Sequence, residues 1–280
     1  MSRDFKLIDV FHDQPLSGNP LAVVLGASDL ETDQMQAITR WLNLSETTFL
    51  LPPTEAAADY RVRIFTLDRE MPFAGHPTLG TCHAWLEAGG RPKTPGVVVQ
   101  QCGLGLVNVR ADGRALAFAA PSLLRSGPLD EADVAQIARV LRIDRGEIVD
   151  AQWADNGPGW KLVRLKSAEA VLALSPAGDG IERLDLGVVG AYPQPSELAY
   201  EVRAFFTAKA GDLREDPVTG SLNASVAQVL TGQGLVAAPY VASQGAAIGR
   251  AGRIFIDQDA HGQIWVGGRT QTLFSGKTVL

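Results

Sequence analysis

The sequence has few of the side chains that build disulfide or metal frameworks. Its 280 residues include two cysteines, Cys82 and Cys102, and four histidines. Two cysteines are too few for a disulfide framework, and this pair lacks the spacing and companion histidines of a zinc site. We expect Cys82 to be a small buried hydrophobic residue on a helix. The sequence therefore predicts no metal site.

Long apolar runs and basic runs are also missing. No stretch approaches the roughly 18 uninterrupted apolar residues of a membrane-spanning helix, and no apolar signal segment precedes the first predicted strand. The chain has 25 Lys and Arg against 31 Asp and Glu, which gives a net charge of −6. No basic run could follow a phosphate backbone. We expect a cytoplasmic protein that binds neither membrane nor nucleic acid.

The common nucleotide and metal motifs are absent as well. No Gly-x-Gly-x-x-Gly opens a helix after a strand, no P-loop occurs, and no His-Glu-x-x-His is present. We therefore expect no cofactor. The chain is 46% hydrophobic, so it can bury one large core or two ordinary ones.

What the sequence does contain is one pattern written twice. Phe65–Thr66 precedes Gly75–Thr78, Phe206–Thr207 precedes Asp216–Ser221, and small residues follow both. Asp216 lies 140 positions after His76, which is half the chain length. Each copy predicts a strand, a loop and a helix with proline in its first turn. The repeat predicts two similar domains, with His76 and Asp216 at equivalent positions.

Short alternating apolar runs, separated by Gly, Pro, Asn or Asp, predict many antiparallel strands. Helical periodicity is confined to Glu31–Leu42, His76–Glu87, Glu131–Leu141 and Thr219–Leu230. Strands and helices do not alternate throughout, as a doubly wound parallel sheet would require. The predicted fold class is α+β, with two pseudo-symmetric domains, each an antiparallel β-barrel around a central helix.

The predicted domain boundary lies near Pro121–Pro128, where an apolar strand gives way to a segment rich in proline and serine. This places an N-terminal barrel domain at 1–120 and a C-terminal barrel domain at 121–269. The last predicted strand, Thr270–Val279, could return to either domain. Residues 270–280 could therefore complete the first barrel.

The two predicted helix starts favour an anion. Their unpaired N–H groups and positive dipole ends attract a carboxylate or phosphate, and a two-fold axis could turn both toward one cleft. Gly75 in the first copy and Gly220 with Ser221 in the second supply the candidate groups. Asn19 could direct its amide at a substrate, although Gly-Asn-Pro is also an ordinary turn.

Three titratable residues are candidates for catalysis, and each has a simpler structural explanation. Glu46 enters an apolar strand from a loop, where loss of solvent would make it a stronger base, but its position alone is also typical of a solvated strand-edge residue. His76 should stay neutral beside a positive helix end, or it could simply bond nearby backbone. Asp216 could act in catalysis or only cap the second helix.

Four segments together resemble the signature blocks of the PhzF family of phenazine-biosynthesis-like proteins. They are Asp9–Val23, Ser45–Phe49, Phe73–Gly80 and Glu215–Ser221, and they occur in the family's order. The resemblance implies the fold of diaminopimelate epimerase, with two similar barrel domains and an active site in the cleft between them. It also implies a homodimer, and proton-transfer chemistry that needs no cofactor.

The resemblance further implies a role for each candidate residue. Glu46 would be the acid/base that removes a proton from one carbon of trans-2,3-dihydro-3-hydroxyanthranilate, or a related compound, and returns a proton on the same face. His76, Asp216 and Ser221 would orient the ring amine, hydroxyl and carboxylate and assist proton transfer. The backbone groups of Gly75 and Gly220 would hold the anion. Because the epimerases carry a cysteine at each helix start, a two-thiol racemase mechanism is excluded here. The expected substrate is a small unsaturated amino or hydroxy carboxylic acid.

Two other functions remain open at this point. A serine hydrolase could be read from Ser221, His76 and Asp216, but the serine does not lie in a Gly-x-Ser-x-Gly elbow. A non-catalytic metabolite-binding protein could keep the same fold. The presence of a base such as Glu46 favours an enzyme, since a protein that only binds has no need of one.

Overall fold

The structure is a computed structural model that describes residues 2–111, 113, 115–178, 181, 183–209 and 211–279. Contacts within the chain divide it into two compact units. The first unit is Met1–Ala119 with Trp265–Leu280, and the second unit is Ala120–Ile264. Among the described residues, no helix has the length and apolar character needed to cross a membrane.

The first unit combines a mixed sheet with two helices. In chain order its elements are β1 (Arg3–Val10), β2 (Asn19–Val24), α1 (Thr32–Leu42), β3 (Glu46–Leu51), β4 (Tyr60–Thr66), β5 (Glu70–Met71), α2 (Gly75–Glu87), β6 (Val97–Cys102), β7 (Gly105–Arg110) and β8 (Leu116–Ala119).

The second unit follows the same plan, after which the chain returns to the first unit. The second-unit elements are β9 (Arg125–Pro128), α3 (Glu131–Leu141), a 3-10 turn (Arg145–Glu147), β10 (Asp150–Asp155), β11 (Lys161–Arg164), α4 (Ala168–Leu172), β12 (Asp185–Ala191), β13 (Tyr200–Lys209), β14 (Asp212–Asp216), α5 (Gly220–Gly232), β15 (Tyr240–Gln244), a 3-10 turn (Ala246–Ile248) and β16 (Gly252–Gln258). The chain ends with β17 (Ile264–Gly268) and β18 (Thr270–Thr278).

The two units have the same succession of strand pairings. In the first, β1–β2 is antiparallel, β2–β3 parallel, β3–β4 antiparallel, β4–β6 parallel and β6–β7 antiparallel. In the second, β10–β11, β11–β12, β12–β13, β13–β15 and β15–β16 repeat that series. The predicted duplication is therefore confirmed in the topology. The sheets are mixed rather than purely antiparallel, because each parallel pair is joined through a helix.

A buried helix lies at the centre of each unit. Helix α2 packs against β1, β2, β3, β6, β8 and β18, and helix α5 contacts β10 and β16. Almost every residue of both helices is buried, through to Ala84 in α2 and Leu230 in α5. Small residues permit this packing: a Cβ atom on Gly80 would lie 2.5 Å from the Leu21 side chain.

Helices α1 and α3 each contribute apolar side chains to the core of their own unit. Helix α1 places Met35 against Phe49 and Phe65 in the first unit. Helix α3 places Ile137 and Leu141 in the larger apolar core of the second unit. All four predicted helices are confirmed, with ends within two residues of those predicted.

The segment predicted as a domain boundary is partly a strand. Residues Arg125–Pro128 form β9, which pairs antiparallel with β10 inside the second unit. Segment β9 is a strand because it pairs with β10 and not because of its own β propensity. Along the chain, the first unit gives way to the second between Ala119 and Ala120, immediately before this segment. Its exposed, glycine- and proline-containing sequence is tolerated on a short strand.

The repeat contains an insertion that the sequence spacing conceals. Phe65 pairs with Glu70 across the β4–β5 hairpin, whereas Phe205 pairs with Glu215 across β13–β14. Strands β4 and β13 are thus 140 residues apart in the sequence, whereas the helix starts at Gly75 and Gly220 are 145 residues apart. The second hairpin is five residues longer.

This insertion overturns the predicted equivalence of His76 and Asp216. Ser221 occupies the second position of α5, as His76 does in α2. Asp216 corresponds instead to Met71, the strand residue that follows Glu70. Bidentate ion pairs support this alignment, since Arg63 binds Glu70 in one unit and Arg203 binds Glu215 in the other.

Candidate active-site residues

Three of the predicted site residues meet in the first unit. Asn19 begins β2, Glu46 begins the adjacent parallel strand β3, and His76 lies in the first turn of α2, which packs on both strands. The Glu46 Oε2 atom lies 3.4 Å from the His76 Nε2 atom. The Asn19 Nδ2 atom lies 3.3 Å from the His76 Nδ1 atom.

These contacts define the state of the His76 ring. The Asn19 amide nitrogen can only donate, so Nδ1 accepts and the ring proton resides on Nε2, facing Glu46. The His76 side chain is 3% exposed, and burial lowers its pKa to about 3. The expected neutral histidine is confirmed, and its ring nitrogens face side chains rather than backbone.

Glu46 is only partly accessible to solvent. Its side chain is 18% exposed, whereas a solvated strand-edge glutamate would be largely exposed. The next two residues, Thr47 and Thr48, are fully buried, and the Thr81 hydroxyl donates to the Thr48 hydroxyl at 2.8 Å. The carboxylate is therefore largely shielded from solvent, next to a neutral N–H donor.

The start of α2 offers main-chain donors close to His76. Gly75 is the first helical residue, and the preceding Ala74 has no side chain that could cap the helix. Pro77 has no N–H group, and the Thr78 N–H donates to the Ala74 carbonyl. The Gly75 and His76 N–H groups are thus the candidate anion donors of this turn.

Asp216 is the last residue of β14, and its side chain is engaged by a hydroxyl. The Thr219 Oγ1 atom donates to Asp216 Oδ2 at 2.6 Å, and Asp216 is 7% exposed. The predicted capping role for Asp216 is wrong, because α5 begins at Gly220 with Thr219 as its N-cap and no side-chain cap bond. Pro217 likewise precedes this helix, so only α2 has proline in its first turn.

Gln244 organises the Asp216 turn and was missed by sequence analysis. Its amide nitrogen donates to Thr219 Oγ1 at 2.9 Å and to the Asp216 carbonyl at 3.1 Å. Its amide oxygen accepts from the Thr219 N–H and from Asn223 Nδ2. Because Thr219 Oγ1 accepts from Gln244, its proton is available to Asp216. No local motif marks Gln244, since β15 brings it here from 25 residues beyond Thr219.

Ser221 lies in the first turn of α5 and is held by a loop that follows β10. The Trp160 Nε1 atom donates to Ser221 Oγ at 3.1 Å, and Asn156 Nδ2 donates to the Ser221 carbonyl at 2.9 Å. An indole N–H is a donor only and cannot act as a base for the serine. This partner does not fit the hydrolase hypothesis, which requires a basic group on Ser221.

No cluster of three or more His, Cys, Asp or Glu side chains that could hold a metal occurs among the described residues. Cys82 is fully buried in α2, as predicted, and burial raises the pKa of its thiol to about 12. A thiol in this state is a packing residue rather than a nucleophile.

Comparisons with known proteins agree in sequence and in fold. Residues 8–279 match the PhzC-PhzF family, described as phenazine biosynthesis-like protein. A trans-2,3-dihydro-3-hydroxyanthranilate isomerase from Pseudomonas fluorescens is 30% identical over 283 residues, covering 99% of each chain. Antisense-enhancing sequence 1 from Schizosaccharomyces pombe is 32% identical over 297 residues, covering 99% of this chain and 98% of the relative. A structure described as a predicted epimerase from Pseudomonas aeruginosa has a TM-score of 0.79, with 27% identity and 99% of each chain covered.

Proposed function

This chain belongs to the PhzC-PhzF family of phenazine biosynthesis-like proteins, and we propose that it is an isomerase that moves a proton between carbon atoms of a small unsaturated amino or hydroxy carboxylic acid. Relatives named as isomerases support the reaction class. The expected chemistry uses side chains alone.

The arrangement of Glu46, His76 and Asn19 carries the proposal. Glu46 acts as the general base and then as the general acid, taking a proton from one carbon and returning it to another on the same face. The neutral His76 accepts from Asn19 and presents Nε2–H on the Glu46 side. It therefore serves as a hydrogen-bond donor and leaves the proton transfer to Glu46.

The negative charge that develops on the substrate is best stabilised by hydrogen-bond donors that are already in place. The Gly75 and His76 N–H groups of α2 and the Gly220 N–H and Ser221 hydroxyl of α5 are suited to an acceptor such as a carboxylate. In the second unit, Asp216, which accepts from the Thr219 hydroxyl, is a candidate acceptor for an amine or hydroxyl of a substrate. The proposal includes a homodimer as the working form.

The test uses the substrate named for the Pseudomonas fluorescens relative. Purified protein is incubated with trans-2,3-dihydro-3-hydroxyanthranilate in D2O, and the product is analysed by mass spectrometry and NMR. We expect an isomer that carries deuterium at one defined carbon. Internal return of the abstracted proton lowers the extent of labelling but not the isomerisation.

Glu46→Gln provides the decisive variant, because the amide keeps the shape of the side chain and cannot accept the proton. We expect turnover to fall at least a thousandfold while ligand affinity changes little. Glu197→Gln, an exposed residue in a turn of the second unit, is the matched control and should behave as wild type. Wild-type turnover in the Glu46 variant would refute the mechanism. If the unaltered protein binds the compound tightly without isomerisation or isotope exchange, the metabolite-binding alternative is favoured.

A further inference from the structure

The loop between β10 and β11 has a shape fixed by one carboxylate. Asp155 Oδ1 accepts from the Gly157 N–H at 2.7 Å and from the Gly159 N–H at 2.8 Å. Both glycines have positive φ angles, 139° and 100°, which other residues rarely adopt. The loop therefore holds Asn156 and Trp160 in defined positions.

These two residues hold Ser221 at two points. Trp160 donates its indole N–H to the Ser221 side-chain oxygen, and Asn156 donates its amide to the Ser221 carbonyl. Asn156 is 2% exposed, Trp160 4% and Ser221 5%. A buried contact of this kind is protected from competing water and so keeps its geometry.

The direction of the Trp160 bond decides what Ser221 can offer. A serine hydroxyl has one proton and two acceptor sites, whereas an indole nitrogen has only a proton. Ser221 Oγ must accept from Trp160, so the hydroxyl proton points elsewhere. No acceptor for this proton occurs among the described residues. The proton is thus available at the start of α5, where the helix has no side-chain cap.

We propose that Trp160 is a positioning residue that fixes the Ser221 hydroxyl as a hydrogen-bond donor to the carboxylate of the substrate. The inference rests on the proposed function, because it assigns the serine hydroxyl to the substrate. A carboxylate accepts hydrogen bonds and has none to donate, so a serine already oriented as a donor fits it. A neutral carboxamide oxygen would accept the same hydrogen bond more weakly, because hydrogen bonds to an ionised acceptor are stronger. Trp160 therefore contributes to selection of acids over amides.

The competing explanation is that Trp160 only fills space in the second unit. Trp160→Phe separates the two, because the ring is largely kept and the N–H is lost. Trp153→Phe makes the same substitution on β10 in the same unit, where the ring packs against Arg125 and Lys161, and serves as the matched control. A space-filling role predicts that any effect of Trp160→Phe is independent of Ser221.

The first measurement tests the hydrogen bond without any substrate. The five tryptophans give five indole N–H signals in a sample labelled with 15N, and Trp160→Phe identifies the Trp160 signal. We expect Ser221→Ala to shift that signal upfield and to speed its exchange with solvent, while the Trp153 signal stays in place. If Ser221→Ala changes neither the shift nor the exchange rate of the Trp160 signal, the inference is overturned.

The second measurement is a double-mutant cycle with trans-2,3-dihydro-3-hydroxyanthranilate. Trp160→Phe should raise KM about threefold to tenfold, the range expected for one hydrogen bond. In a Ser221→Ala background the same substitution should have no further effect. Equal losses in both backgrounds would show that Trp160 acts through packing and would overturn the inference.

A third measurement separates this inference from the proposed function. Wild-type protein that fails to isomerise the compound counts against the proposed reaction alone. Titration with anthranilate should still shift the Trp160 indole signal saturably, whereas anthranilamide should require at least tenfold higher concentration. Equal response to acid and amide, or no response to the acid, would overturn the role assigned to Trp160.

Discussion

At the residue scale, the His76 ring is defined by two influences of the fold. It lies at the positive end of α2 and is buried, and both features disfavour an imidazolium. Asn19 then selects the tautomer by donating to Nδ1. The result is a fixed N–H donor that faces the Glu46 carboxylate.

Asn19→Asp should reverse this arrangement. A carboxylate at position 19 accepts from Nδ1–H, so in the neutral ring the Nε2 lone pair would face Glu46 and repel it. We expect the His76 pKa to rise and isomerisation of trans-2,3-dihydro-3-hydroxyanthranilate to fall at least tenfold. The 15N shifts of the ring report the tautomer directly.

Asn108→Asp supplies the matched control, because Asn108 is exposed on β7 and the same charge is added. It should leave the ring shifts and the rate unchanged. If the Asn19 variant keeps both the wild-type tautomer and the wild-type rate, the assigned hydrogen bond is wrong.

Burial of His76 should also make stability depend on pH. Its folded pKa of about 3 lies below the unfolded value of 6.5, so between these values only the unfolded chain binds the proton. The contribution of the neutral His76 ring to stability is fully present above pH 6.5, and the free energy of unfolding falls as the pH is lowered. Between pH 7 and pH 5 the expected loss from this group is about 2 kcal/mol. Urea unfolding of wild type and His76→Gln at both pH values tests this, since the variant should lose less. Parallel losses would contradict it.

At the element scale, helices pack closely on strands where a glycine leaves room for a neighbouring side chain or main chain. In the second unit, Gly190 of β12 lies against the start of α4. A Cβ atom added at Gly190 would lie 2.2 Å from the Ser167 carbonyl oxygen. A main-chain atom cannot rotate away as a side chain can, so the helix and the strand would have to separate.

Gly190→Ala should therefore lower the free energy of unfolding by about 1 to 3 kcal/mol. Gly232→Ala is the matched control, because Gly232 ends α5 and nothing lies within 4 Å of an added Cβ. The control should be neutral or slightly stabilising, since alanine favours helix. Urea unfolding measures both, and equal stability of the two variants would show that the α4–β12 contact yields easily.

At the scale of the whole molecule, the last segment of the chain completes the first unit. Strand β18 pairs with β1 from Arg3 opposite Thr278 to Val10 opposite Thr270, and β17 pairs with β8. The first unit is therefore assembled from both ends of the sequence. Its folding closes a loop that contains the entire second unit.

A chain that stops after Ile264 should lose structure in the first unit. Strands β1 and β8 would each lose a partner, so amide hydrogen exchange should show lost protection across β1 to β8 and retained protection in β10 to β13. Removal of residues 279–280 alone, which lie beyond β18, is the control and should preserve protection. Protection of β1 in the shorter chain would refute the dependence.

Local patterns were enough to predict the long elements. Glu131–Leu141 was predicted with the observed ends, because an amphipathic helix carries its own period. Strands β5, β9 and β14 were not predicted, since they are short and have charged or turn-rich sequences. They are strands because β4, β10 and β13 supply their hydrogen bonds.

In the candidate site, too, local properties could be predicted and long-range contacts could not. Glu46, His76, Asp216 and Ser221 could be chosen from residue type and from resemblance to known blocks. Asn19 was also a candidate, but the pairings could not be predicted, because Asn19 lies 57 positions from His76 and Trp160 lies 61 from Ser221. The predicted pairing of His76 with Asp216 failed because a five-residue insertion is invisible to a count along the chain.

The sequence by itself determined that this is an α+β protein built from a repeated unit, and which side chains are candidates for its chemistry. Periodicity, turn chemistry and side-chain chemistry are local properties that a chain carries wherever it folds. Only the tertiary structure decided which proton each candidate residue presents. That choice depends on partner atoms brought together by strand register, and hydrogen-bond direction exists only once both partners are in place.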